Sequence, residues 1–445
     1  MPLSGNLRWP IDYDSRFVGQ AAIRTLFTES DSGAEPVPAA AYKADSFEDG
    51  RRWRVHLNTS LRWSDGEPLR AAHAAAAAEE MATRPFAAAT RFLGEEPRGR
   101  IQVIDDATVE YHFARPTAFA PALLTLPQFA PTRPGGMSLG AYIPTLRDQD
   151  AIRLTRHPHA QDTGGEPEEL IFRTYKTHSA ALDAYASREL DVTPTIGFTQ
   201  DQLHRFQEHP RLLNRDISLF GSLEFGHRAV GGLRSSAIVR RTLSSLLDRE
   251  RLVGPCPGLL SPWRPRGGPA GGSVVRESVL RDALCGNQGN LEIGYADFAP
   301  NGDVVTGIVE QLKDSLGVSA VPRPMSFKEY VRTAARGDYD MLYTLTAADF
   351  PHPAALLTPW HSGNAAAVRA GLSDACLDGL IDEASACPDP QQQHDLWQRA
   401  DERWLELMPR IPLVQVQANC AYSERVGGMH LSASGFIDFE RLTAQ

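Results

Sequence analysis

Several groups of residues in this 445-residue chain have types and spacings that could do chemistry. His157 and His159 flank Pro158 and could be two ligands of a metal ion. Asp105 and Asp106 are adjacent carboxylates and could divide acid and base roles. The arginine-rich run from Ser235 to Arg251 could lie along a phosphate backbone. Asp349 closes the run Thr344-Leu-Thr-Ala-Ala-Asp349, where a lone carboxylate could hold a cation.

Most of these have local explanations. No third metal ligand stands near His157 and His159, and their spacing does not suit a helix, so no metal site is expected. Asp105 and Asp106 sit between the strand-like runs Arg100–Ile104 and Thr108–Phe113, where Asx turns form for backbone reasons. Between Ser235 and Arg251, Ile238, Leu243, Leu246 and Leu247 make an apolar helical stripe. That predicts a core-facing helix with a solvated side rather than a nucleic-acid helix. Gly271-Gly272-Ser273 lacks the lysine and the strand-to-helix context of a phosphate loop. There is no G-x-S-x-G, no H-E-x-x-H and no cofactor fingerprint. His73, His227, His352 and His361 become candidate bases only where the fold sets one beside Asp349. A non-catalytic binding protein without cofactor is therefore expected.

Asp349 differs because of what precedes it. Leu291–Tyr295 reads as an apolar strand and Val304–Leu316 as an amphipathic helix ending at Gly317. Val318–Val321 is a strand, Ser326–Gly337 a second helix, and Tyr339–Leu345 the next strand. A β-α-β-α-β series implies parallel pairing with right-handed crossovers. Ligands of such sheets sit beyond the carboxyl ends of the strands. The segment Thr344–Pro353 falls there. The alternative role for Asp349 is the N-cap of a helix beginning near Pro353-Ala-Ala-Leu-Leu.

Composition bounds the class. Hydrophobic residues are 42% and charged residues 22%, and the formal net charge is −10. This is an ordinary globular composition with no electrostatic invitation to nucleic acid or an anionic membrane. No run approaches the ~18 apolar residues of a membrane span. The five cysteines form no C-x-x-C pair. Their odd number leaves a free thiol, and a Cys256–Cys285 bridge is an option in an oxidising compartment. The first twenty residues lack a basic stretch followed by an apolar run. An extracytoplasmic place therefore requires a leader removed from this sequence; complete as given, the chain is expected in the cytoplasm.

Further phrases follow a recognisable order. Val55-His-Leu-Asn-Thr-Ser-Leu-Arg-Trp-Ser-Asp-Gly-Glu-Pro-Leu69 reads as strand, Ser-Asp-Gly turn and entry to the alanine helix Ala71–Met81. It resembles the F-x-L-R-x-G-x-x-W-S-D-G-x-P phrase of the family 5 extracellular solute-binding proteins, the peptide and nickel receptors of ABC importers. Ser138-Leu-Gly-Ala-Tyr142, Glu189-Leu-Asp191, the Arg240–Val253 helix, Thr346–Pro353, Pro409-Arg-Ile-Pro-Leu413 and Val426-Gly-Gly428 resemble later phrases in family order. The resemblance runs from about Leu26 to Gly428.

The resemblance implies an α/β fold, a two-lobed type II periplasmic-binding-protein-like clamp with an extra flanking domain. Lobe I would comprise 1–30, 140–230 and 424–445, the flanking domain 31–139, and the other lobe 231–423. In peptide-binding members the aspartate of W-x-A-D-Y pairs with the ligand's α-ammonium, and the residues before it bond the peptide backbone. This implies a site of Leu345, Thr346, Ala347, Ala348 and Asp349. The family's L-Y/F-E-G-L phrase adds Thr28, Glu29 and Ser30, with Glu29 where glycine is usual. Phe225 and Gly226 join them at the end of the crossover strand Leu219–Gly226. The implied function is capture of a small ligand, a peptide or another molecule bearing a primary amine, in an interlobe cleft by hinged closure. The protein would act as a monomer serving an ABC permease, with no nucleic-acid partner. The alternative is a cytosolic member repurposed as a biosynthetic enzyme or small-molecule sensor.

Overall fold

A computed structural model describes residues 7–445 apart from 10–12, 34, 85–86, 134, 136–137, 149, 161–163, 207, 230–231, 254–258, 261–274 and 286–290. Cys256, and with it the optional Cys256–Cys285 bridge, lies outside the described residues, as does most of the Gly/Pro-rich stretch 254–288.

The Trp-Ser-Asp-Gly phrase folds as local chemistry dictates. In the strand Arg52–Leu57, Trp53, Val55 and Leu57 alternate inward. Gly66 takes φ +87° and its N–H returns to the Trp63 carbonyl at 2.8 Å. The helix Ala71–Thr83 then buries Ala71, Ala74, Ala77, Ala78 and Met81, positions that share one helical face. His73 Nδ1 accepts from the Trp63 indole at 3.0 Å and from the Arg70 amide at 3.1 Å. Asp105 and Asp106 form the expected turn: Asp105 accepts the Ala107 amide at 2.8 Å, and Asp106 pairs with Arg70 at 3.0 Å.

A six-stranded mixed sheet organises the rest. Its order is Leu259–Leu260, Ile411–Ala421, Leu212–Phe225, Met341–Ala347, Leu291–Ala296, Ala320–Met325. The strand Leu291–Ala296 runs parallel to both Ala320–Met325 and Met341–Ala347. The connecting helices Asn301–Leu316 and Phe327–Arg336 end at Gly317 and Gly337, both left-handed caps at φ +65° and +73°. The long strand Leu212–Phe225 pairs antiparallel with Met341–Ala347 on one side and Ile411–Ala421 on the other.

Two large apolar cores hold these layers. One surrounds the six-stranded sheet and includes Val18, Tyr142, Leu223, Ile293, Met341 and Phe439. The other joins the 31–139 segment to the chain after Ala347. There Phe92 and Phe119 lie 6.2 Å and 6.0 Å from Phe350 between ring centroids. All three rings are at most 4% exposed, and each such burial stabilises by roughly 1.5–3 kcal/mol.

The helix Ala237–Leu246 corrects one reading of the sequence. Val239 and Leu243 are buried with Leu247 just beyond, whereas Ile238 is exposed. The rotation follows from Arg240, which is buried and donates to the carbonyls of Leu233, Arg234, Leu407 and Met408. It thereby satisfies the end of the helix Pro390–Leu407, whose last carbonyls have no partner within the helix. Arg249 likewise donates to Ser244, Leu247 and Pro412 carbonyls. Two of the arginines that could have met phosphate are thus spent on backbone, and Arg251 pairs with Asp314 at 3.1 Å.

Candidate functional site

The strand Met341–Ala347 ends where chemistry is expected, and its pairing decides which side chains meet. Phe220 pairs with Thr346, Ser222 with Thr344 and Glu224 with Leu342, so Glu224, Thr344 and Thr346 share one face. On the other neighbour, Leu223 pairs with Ile411, which brings Arg410 alongside. Arg410 Nη1 donates to Thr346 Oγ1 at 2.8 Å and to Glu224 Oε1 at 3.3 Å. Thr344 donates to the same Glu224 oxygen at 3.3 Å. The guanidinium lies 5.2 Å from the Trp360 ring centroid and 5.8 Å from that of Trp404.

Arg410 is 8% exposed, and burial lowers its pKa from the ordinary value while Glu224 pulls it back up. Burial first and Glu224 second hold the phenols of Tyr330 and Tyr339 well above their usual range, so both stay protonated donors. A cavity of about 210 Å³ opens over this face. Its wall combines Glu224, Thr346 and Arg410 with the apolar side chains of Leu356, Trp360 and Ala366, and with the exposed Arg369.

Asp349 lies just beyond. The Ala348 amide bonds the Ser218 carbonyl at 2.8 Å, and the chain then turns outward. Asp349 is exposed, and its carbonyl accepts Arg16 Nη2 at 2.7 Å. Its carboxylate acts electrostatically on Arg91, whose pKa is lowered by burial and pulled back up by Asp349. The helix-cap alternative does not describe Asp349. The next helix, Ala354–Leu357, has Pro353 at its N-cap, and the Ala354 amide goes to His352 Nδ1 at 3.1 Å.

Thr28 and Glu29 belong to the strand Phe27–Glu29, with Ser30 following. The Glu29 carboxylate accepts both the amide and the hydroxyl of Ser434. Next to Ser434, the Ala433 carbonyl accepts the Ser218 amide at 3.1 Å, and the Ser218 carbonyl in turn accepts Ala348. Glu29 is thus tied through three short steps to the Leu345–Asp349 segment. Phe225 and Gly226 stand at the other end of the ladder. Phe225 pairs with Met341 and Leu219 with Ala347; six residues of strand span roughly 20 Å. Phe225 lines the cavity. Gly226 packs on the backbone of Tyr339, whose carbonyl would lie 2.1 Å from any added Cβ.

The four histidines are occupied elsewhere. His352 stacks on Phe119 at 4.7 Å, and His361 faces Asp378 and Asp382. His73 bonds Trp63, and the His227 ring lies against Gly337. Among the described residues, none hydrogen-bonds Asp349. His157 spends both ring nitrogens on backbone, with Nε2 on the Ser138 carbonyl and Nδ1 on the His159 amide. Sequence reasoning passed over Arg410, Glu224, Arg16 and Arg91. The one signal for Arg410 is a lone arginine between Pro409 and Pro412 in an otherwise apolar strand entry.

Residues 35–255 match the family described as bacterial extracellular solute-binding proteins, family 5 Middle. The chain is 23% identical over 393 residues to a putative binding protein of Haemophilus influenzae, covering 81% of this chain and 73% of the relative. It is 19% identical over 459 residues to the dipeptide-binding protein DppE of Bacillus subtilis, covering 91% and 83%. Its fold matches that of Haemophilus influenzae OppA, solved in complex with RPPGFSPFR, with a TM-score of 0.82 at 17% identity, over 100% of this chain and 97% of that one.

Proposed function

Because the chain belongs to the family 5 bacterial extracellular solute-binding proteins, we propose that it captures a small solute between two lobes and presents it to an ABC permease outside the cytoplasm. The solute is a peptide or another molecule bearing a primary amine, and the protein works as a monomer. The lobes are 1–30 with 140–230 and 424–445 on one side and 231–423 on the other, with 31–139 flanking. Among the described residues no helix is long and apolar enough to cross a membrane.

One observation carries this reading: parts of all three units converge on Asp349. Arg16 of the first lobe holds its carbonyl, Arg91 of the flanking unit feels the charge of its carboxylate, and Asp349 itself lies two residues past the end of a strand of the other lobe. An incoming ammonium would pair directly with the carboxylate, which Arg91 influences only electrostatically while its Nη1 donates to Thr358. Such a pairing strengthens as closure excludes water. Closure follows because the ligand contacts both lobes only in the closed state, which shifts the population toward it. Glu29, Thr28 and Ser30 border the same edge through Ser434 and Ser218.

Native mass spectrometry of the purified protein should show a carried-over amine-bearing ligand. At a hundredfold excess over Kd such a ligand stabilises by about 2.7 kcal/mol. A panel of dipeptides and tripeptides that leaves the melting temperature unmoved would sink the peptide reading. Ligand stabilisation undiminished in Asp349→Ala would remove Asp349 from the site.

A further inference from the structure

We propose that the cavity at Arg410 is a second binding site, specific for the carboxylate of a small organic acid and set between the six-stranded sheet and the segment 355–370. Glu224 and Phe225 of its wall come from 140–230 and the other lining residues from 231–423, and none belongs to 1–30 or 31–139. Asp349 is not among the lining residues, which sets this cavity apart from the Asp349 site.

The charge balance selects an anion. The ionised groups in the wall are Arg369, Arg410 and Glu224, so two cations against one carboxylate leave one positive charge. The hydrogen-bond balance points the same way. Glu224 already receives Arg410, Thr344 and Tyr339, the last at a long 3.5 Å. Arg410 has donors left over. Its Nε is buried without a partner, and among the described residues its Nη2 makes no hydrogen bond. A guanidinium presents its N–H groups in a planar fork that matches two carboxylate oxygens. Here the plane is held by Trp360 and Trp404, so little freedom remains to be lost on binding.

Size narrows the ligand further. About 210 Å³ is below the roughly 300–1,000 Å³ of pockets that take drug-sized molecules. Leu356, Trp360 and Ala366 supply an apolar wall for a short hydrocarbon body. The acid fits either as a free molecule or as the carboxyl end of a longer ligand that enters past Thr346.

Trp360 and Trp404 make the site readable by intrinsic fluorescence, with calorimetry as a second measurement. Benzoate and 4-methylpentanoate are titrated against the full chain, with benzamide as the uncharged control. The expected result is saturable binding of the acids and none of the amide. Arg369→Gln weakens it several-fold and Ala366→Phe abolishes it by filling the cavity. Arg410→Lys, which keeps the charge opposite Glu224 but loses the fork, weakens it about tenfold or more. Equal binding of benzamide, or acid binding untouched by both Arg369→Gln and Ala366→Phe, overturns the proposal. So does the absence of any acid response up to millimolar concentration, unless an N-acetylated dipeptide with a free C-terminus binds where its C-terminal amide does not. Acid binding that survives Asp349→Ala assigns the site to free acids and leaves the Asp349 reading to its own test. A response confined to free-ended peptides and lost in Asp349→Ala assigns it to the tail of a ligand seated at Asp349.

Discussion

The carboxylate of Glu224 and the guanidinium of Arg410 lie 3.3 Å apart although 186 residues separate them in the chain. The pairing of Leu223 with Ile411 accomplishes this by aligning the end of one strand with the start of its antiparallel neighbour. Both charges are largely out of water, at 24% and 9% side-chain exposure. The attraction between them offsets a desolvation cost of several kcal/mol for each ion, so the pair is fragile to one-sided change.

Arg410→Met leaves the largely buried Glu224 without its cation, held only by the Thr344 and Tyr339 hydroxyls. It should lower unfolding free energy by about 3–5 kcal/mol in urea titrations. The double change Arg410→Met with Glu224→Leu removes both charges and should recover much of that loss. A double variant no more stable than Arg410→Met would show that the pair is not energetically coupled.

Asp349→Ala should leave the unliganded stability within about 0.5 kcal/mol of wild type, because the side chain is exposed and caps no helix. Arg91→Met removes the competing cation. It should tighten binding of an amine-bearing ligand by up to about fivefold, the upper end for a charge–charge interaction outside the deep interior. Calorimetry reads both effects.

Phe350 joins Phe92 and Phe119 of the 31–139 segment to the helices that follow it. Phe350→Ala should cost about 3–5 kcal/mol by opening a cavity. Combined with Phe119→Ala, the loss should fall short of the sum, since the two rings bury the same surface. Additive losses would mean that the two rings stabilise separate units.

Burial moves the pKa of His352 down from 6.5 to about 4. The unfolded chain therefore takes up a proton near pH 6.5 while the folded chain resists until about pH 4. Stability from neutral His352 is full above pH 6.5 and is lost as pH falls toward 4, by roughly 3 kcal/mol. Denaturation at a series of pH values should show this acid limb. His352→Gln, which cannot titrate, should flatten it, and an unchanged limb would exclude His352 as its source.

Arg188 follows the helix His178–Ala186 and holds φ at +65°, a conformation that L residues with a Cβ adopt at a cost. Arg188→Gly should raise stability by about 1 kcal/mol despite removing a side chain. A loss of stability would show that contacts of the arginine outweigh the strain.

Much of the architecture is legible in the chain order because its causes are local. Trp63-Ser-Asp-Gly66 turns because aspartate and glycine shape their own backbone, and Gly317 and Gly337 end helices because they alone tolerate positive φ without strain. Alternation and helical periodicity place Arg52–Leu57, Asn301–Leu316 and Met341–Ala347 within a few residues. The position of Asp349 beyond a strand end follows from the same patterns.

What only the tertiary structure decides is who meets whom. Periodicity puts Ile238 on the buried face of its helix, yet Arg240 claims that face because carbonyls at Leu407 and Met408 need donors. Asp349 reads as a free carboxylate, yet Arg16 and Arg91 converge on it from more than 250 residues away. Arg410 reads as one charge in a strand entry, yet Glu224, Thr346 and two tryptophans make it the centre of a cavity. A residue's conformational preference is encoded in its neighbours along the chain, whereas its electrostatic and hydrogen-bond partners are set by strand register and helix packing. Those long-range choices minimise buried unpaired charge over the whole molecule, which no local window of sequence contains.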